Sequence, residues 1–129
     1  MLSVCATGED QAALNNCLGG VSVRITAAST CREALARLKY GGISVVICDA
    51  DLPDGTWRDI LDYLQTAGER PELIVASRLA DDYLWSEVLN LGGFDVLAKP
   101  FRAVEVRHVV ETACRQRGRS ARRFLAATA

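Results

Sequence analysis

The sequence predicts a three-layer α/β domain built on a five-stranded parallel sheet, and three observations carry that prediction. Short apolar runs alternate strictly with longer amphipathic segments, five of each, the pattern of repeated strand–helix units. The short runs are rich in Val, Ile and Leu and lack polar–apolar alternation, as strands covered on both faces do. The 129 residues suffice for one compact domain with a real core and no covalent staples.

Residues 2–5, 21–25, 44–48, 73–76 and 94–98 read as the strands. A first helix is expected over residues 9–18, stopped by Gly19 and Gly20. Thr30 and Glu33 form a capping-box pair for the second, whose apolar stripe is Ala34, Leu35 and Leu38. Thr56 caps the third, with Asp59 three positions on and Trp57, Ile60, Leu61 and Leu64 facing inward. Asp81 or Asp82 starts the fourth, which ends at Gly92 and Gly93. The fifth begins just after Pro100 and carries Val104, Val106, Val109, Val110 and Ala113.

Composition narrows the function classes. A formal net charge of −1 gives no whole-chain case for nucleic-acid or membrane binding. Five cysteines show neither a zinc spacing nor a disulfide framework, and Cys5 and Cys48 sit inside apolar runs as small hydrophobes. A reduced, cytoplasmic setting is expected. There is no signal-peptide pattern, and no apolar run approaches membrane-spanning length.

Right-handed crossovers place every strand's C-terminus on one edge, where ligands of such folds bind. Asp49, Ala76, Ser77 and Lys99 are all assigned to that edge. An aspartate leaving a buried strand there can attack a phosphoryl group, and a nearby lysine can offset the charge that transfer brings. Taken alone, Asp49 reads as a turn former and Lys99 as its ion-pair partner; the two together at strand ends favour the chemical reading. Pro100 fixes the backbone just after Lys99, and a cis bond is considered there.

These residues lie in two motifs, Asp49 with Leu52-Pro53 behind it and Lys99-Pro100-Phe101 after the fifth strand, with the small-residue turn at 89–95 before it. Over nearly its whole length the chain resembles the receiver domain of bacterial two-component response regulators. The resemblance implies a flavodoxin-like (βα)5 fold with strand order 2-1-3-4-5 and a signalling module rather than an enzyme. It implies Asp49 as acceptor of phosphate from a histidine kinase or phosphotransfer protein, and Lys99 as the residue contacting the phosphoryl group. Output is expected on the face made by the fourth helix, fifth strand and fifth helix, with a homodimer as one form of it.

Three departures from the family pattern stand out. The family holds magnesium with an acidic pair after the first strand, where Cys5 and Ala6 stand here. The metal expected on Asp49 and Asp51 is therefore weakly held. Glu9 and Asp10 read as first-turn residues favouring the helix dipole, and Asp51 and Asp54 as solvated turn residues. The family's hydroxyl position falls on Ala76, with Ser77 as a substitute only if the strand slips by one residue. The family's mobile aromatic is Val96; Phe94, two residues earlier, reads as core.

The domain is assigned to residues 1–117 and a basic tail to 118–129. The run 115–123 reads as a solvated extension of the fifth helix frayed at Gly118, without the aromatic interleaving that base stacking needs. Phe124 and Leu125 are candidates for docking; His108 reads as a helix-surface residue, and Trp57 and Trp85 as packing residues. No output domain fits after Phe101, so output by protein contact is expected. Two readings follow: a stand-alone receiver phosphorylated on Asp49, or a pseudo-receiver serving as an interaction or dimerisation module. A small cofactor carrier would need a phosphate cradle after the first strand, and the run from Ala6 to Glu9 offers one glycine and an acid instead.

Overall fold

The computed structural model describes residues 1–66 and 70–128, with side chains described as far as residue 118. Five strands, β1 (Leu2–Val4), β2 (Thr26–Ala28), β3 (Val45–Asp49), β4 (Glu72–Ser77) and β5 (Asp95–Ala98), form one sheet in the order β2-β1-β3-β4-β5. Every pairing in it is parallel. Between and after them run α1 (Gly8–Cys17), α2 (Cys31–Lys39), α3 (Trp57–Leu64), α4 (Asp82–Leu91) and α5 (Ala103–Thr128). A two-residue ribbon, Asp51–Leu52 against Gly55–Thr56, closes the loop after β3.

Side-chain alternation along the strands sends apolar groups to both faces and builds two cores. Val46, Cys48, Leu73 and Val75 meet Ala34 and Leu38 of α2, Ile60, Leu61 and Leu64 of α3, and Val88 of α4. On the other face Val45, Ile47, Ile74 and Leu97 meet Leu14 of α1 and Val106, Val110 and Ala113 of α5. Trp57 is buried in the first core, whereas Trp85 is half exposed on α4.

The helix boundaries follow local chemistry. Thr30 Oγ1 accepts the Glu33 amide at the start of α2. At α3 the capping is reciprocal: Thr56 Oγ1 accepts the Arg58 amide, and Asp59 accepts the Thr56 amide. Asp81 caps α4, and Gly92 ends it at φ +107°, a conformation that carries little cost without a Cβ. The next residue, Gly93, is held by close approach: a Cβ there would collide with Val88 Cγ1 and stand 3.0 Å from the Val88 carbonyl oxygen.

Three expectations are corrected. The second strand is Thr26–Ala28, not residues 21–25. Val21 and Ile25 pack under the sheet edge as partly buried residues, while the strand itself needs only backbone bonds to β1 and uses small residues. Val104 is largely exposed and not part of the apolar stripe of α5. That helix also runs on through Gly118 without fraying. The tail's side chains from Arg119 on, with Phe124 and Leu125, lie outside the described residues.

Candidate functional site

The site is built by strand alternation carried past the strand ends. Asp49 lies two residues beyond Ile47, and Lys99 two beyond Leu97, so both emerge on the face that α1 covers. They meet there: Lys99 Nζ stands 2.6 Å from Asp49 Oδ1, with both side chains almost fully buried. The Lys99–Pro100 peptide is cis. The Ala6 amide donates to Asp49 Oδ2 at 2.8 Å. Oδ1 is buried, and Lys99 is its partner among the described residues.

Asp10 completes the cluster. Thr7 caps α1 by accepting the Asp10 amide, and the Asp10 carboxylate reaches Lys99 at the sheet edge. Its Oδ2 accepts from Lys99 Nζ at 2.9 Å, and its Oδ1 lies 3.3 Å from Arg78 Nη2. The order is Arg78, Asp10, Lys99, Asp49, alternating in sign. The Lys99 hydrogen bond holds the Asp10 carboxyl below the ordinary aspartate value against the opposing effect of burial. Burial by itself lowers the Lys99 pKa, but the hydrogen bonds and charges of Asp49 and Asp10 outweigh it and hold the ammonium above the usual lysine value.

This cluster floors a cavity of about 290 Å³ whose lining includes Thr7, Asp51, Ser77, Arg78 and Leu79. The expected residues Asp49, Lys99, Ser77 and Asp51 are thus brought together. Ala76 pairs with Asp49 across the sheet, and its carbonyl accepts the Ala50 amide. Ser77 Oγ accepts the Leu79 amide and so is turned onto its own loop.

Asp10 departs from its expected role, and Asp54 adds to its own. Asp10 is not simply a first-turn dipole residue, because two cations hold its carboxylate in the pocket. Asp54 stands exposed in the turn, as expected, and its two oxygens also accept the Cys31 and Arg32 amides at 2.7 and 3.0 Å, tying the loop after β3 to the start of α2. Those bonds hold its carboxyl below the usual range. His108 is exposed on α5, as expected.

Magnesium demands several hard oxygen donors in near-octahedral array. Here Cys5 occupies one acidic position, and burial, aided by the Asp49 charge, pushes its thiol up to about 12. Ala6 offers no side-chain donor. Both Asp10 oxygens are committed to cations, and Asp51 stands exposed on the loop. Among the described residues no group of three His, Cys, Asp or Glu side chains is arranged to hold a metal. The donor set does not fit the ion.

A rim pocket with a buried Asp–Lys pair on a 2-1-3-4-5 parallel sheet places the molecule in the flavodoxin-like (βα)5 class of α/β modules. The family model described as response regulator receiver domain matches residues 9–111, and the chain belongs to that family. A signal receiver domain of a putative LuxO repressor protein from Vibrio parahaemolyticus superposes with a TM-score of 0.85 at 21% identity, covering 97% of this chain and 94% of that one. The receiver domain of an HD domain-containing protein from Pseudomonas fluorescens Pf-5 gives 0.84 at 20% identity, over 95% and 90% of the two chains. The beryllofluoride-activated NtrC4 receiver domain dimer gives 0.81 at 20% identity, over 90% and 96%. At these identities the likeness is one of fold. No curated protein matches the chain. Among the described residues no helix is long and apolar enough to cross a membrane.

Proposed function

We propose that this receiver domain accepts a phosphoryl group on Asp49 from the phosphohistidine of a histidine kinase or phosphotransfer protein. The observation that carries this reading is the buried Asp49–Lys99 pair, 2.6 Å apart, at the floor of a cavity open to solvent. Lys99 is placed to meet charge on the incoming group. Ser77 and Thr7 bring hydroxyl groups to the same lining.

Output runs through the face of α4, β5 and α5. Tyr83, Trp85 and Val104 are exposed on these helices, and a cavity of about 350 Å³ is bounded by Trp85, Val96, Ala98 and Glu105. The partners are a downstream protein or a second copy of the chain. The second reading, a pseudo-receiver that binds partners without phosphotransfer, is favoured by one observation: Cys5 and Ala6 stand in place of the acidic pair.

Incubation with acetyl phosphate, read by intact mass, separates the two. The expected outcome is gain of one phosphoryl group by the native chain and none by Asp49→Asn. A native chain that stays unlabelled while a phosphohistidine donor also fails supports the pseudo-receiver.

A further inference from the structure

Four charges cross the pocket in alternating order, and the outermost, Arg78, is the one with freedom to move. Its side chain is two-thirds exposed, and its contact with Asp10 is a single one at 3.3 Å. It lies on the loop directly after β4, on the same cavity wall as Ser77 and Leu79. Lys99, by contrast, is almost fully buried and already shared between Asp10 and Asp49 at 2.9 and 2.6 Å. It cannot answer a new charge without giving up an old one.

Transfer from an acyl phosphate joins an Asp49 carboxylate oxygen to phosphorus. The bond from phosphorus to the acyl oxygen breaks, its electron pair leaves with the carboxylate, and no proton moves. The Asp49 side chain then carries a dianionic group in place of a single negative charge. That extra charge needs a cation at the pocket. The carboxylates that would recruit a divalent ion are replaced by Cys5 and Ala6, and the acid nearest Asp49 through Lys99, Asp10, is neutralised from both sides.

We propose that Arg78 is the resident cation of this site: it leaves Asp10 to pair with the phosphoryl group on Asp49, and phosphorylation proceeds without a divalent metal. A guanidinium suits the task because its planar fork meets phosphate oxygens two at a time and never loses its charge. Asp10 acts as its parking position in the unmodified state. The inference rests on Asp49 being the acceptor.

The test is the rate of Asp49 labelling by acetyl phosphate in excess EDTA and in millimolar Mg²⁺, for the native chain, Arg78→Ala and Arg78→Lys. The native rate is expected to agree within about twofold between the two conditions. Arg78→Ala should label at least about tenfold more slowly in EDTA and recover in part with Mg²⁺, because one Asp10 oxygen is then released from its cation. Arg78→Lys should keep most of the metal-free rate. Arg78 is exposed, so folding of these variants is not at issue, and a change in metal dependence is not something a packing defect produces. Native labelling that collapses in EDTA, or an Arg78→Ala rate equal to native in EDTA, overturns the proposal while leaving Asp49 as acceptor. No labelling under either condition, with a phosphohistidine donor failing as well, overturns both.

Discussion

Lys99 separates two carboxylates that would otherwise face each other with little water between them. Replacing it with Met keeps much of the volume and removes the charge, so Asp10 and Asp49 are left to repel. Breaking a largely buried ion pair from one side is costly, and partial solvation on the Asp10 side reduces that cost to about 1–3 kcal/mol at neutral pH. Asp10 has its pKa depressed in the native fold, so its contribution is fully present above the unfolded value of 3.8 and is lost as pH falls through the native value. Lys99 has its pKa raised, so its contribution holds below 10.5 and fades only as pH climbs beyond that. The contributions of Asp10 and Lys99 should therefore both be present between those limits. In Lys99→Met the repulsion is relieved once the Asp10 carboxyl protonates. Urea titrations of both proteins at pH 7 and pH 4 should show the gap between them narrowing at the lower pH; a constant gap would mean that the carboxylates do not sense Lys99. Asp49 and Lys99 were readable as a pair because each closes an apolar run. Asp10 and Arg78 were not, since a first-turn acid and a loop arginine look like ordinary surface residues until tertiary packing brings them together.

At the scale of elements, capping was the most readable feature and remote support the least. Thr30, Thr56 and Asp81 each stand before an apolar stripe, and each caps the helix expected of it. The C-terminus of α1 has no basic residue in its last turn. Arg107 of α5 serves instead, donating to the Cys17 carbonyl from Nε and to the Gly19 carbonyl from Nη2, both at 2.8 Å. This bond pair ties the two helices on the same face of the sheet. Arg107→Ala should cost about 1–2 kcal/mol, and hydrogen exchange should speed up most at the end of α1. Uniform loss across the domain would contradict a local tether. The second strand was misplaced for the opposite reason. Apolar content marks a central strand well, but an edge strand such as Thr26–Ala28 is defined by its backbone partners, which composition does not record.

For the whole molecule, stability rests on two cores separated by one sheet. Ile47 is fully buried at the centre of the sheet and faces the α1 and α5 side. Ile47→Ala should cost about 3 kcal/mol in transfer and cavity terms. Because Ile47 is the residue two before Asp49 on the same face, the same change should also slow phosphoryl labelling. A variant that loses stability but labels at the native rate would show that the strand end holds its position independently of the packing below it.

The alternation of apolar runs and amphipathic stretches carried the fold class, the caps and the shared edge of Asp49 and Lys99, because periodicity and strand direction are local properties of a chain. Which charges neighbour those two residues, and whether a metal ion has donors there, depended on how α1 and the loop after β4 close over the sheet. Coulombic pairing acts through space between residues as far apart in sequence as Asp10 and Lys99, and only the packed fold sets those distances.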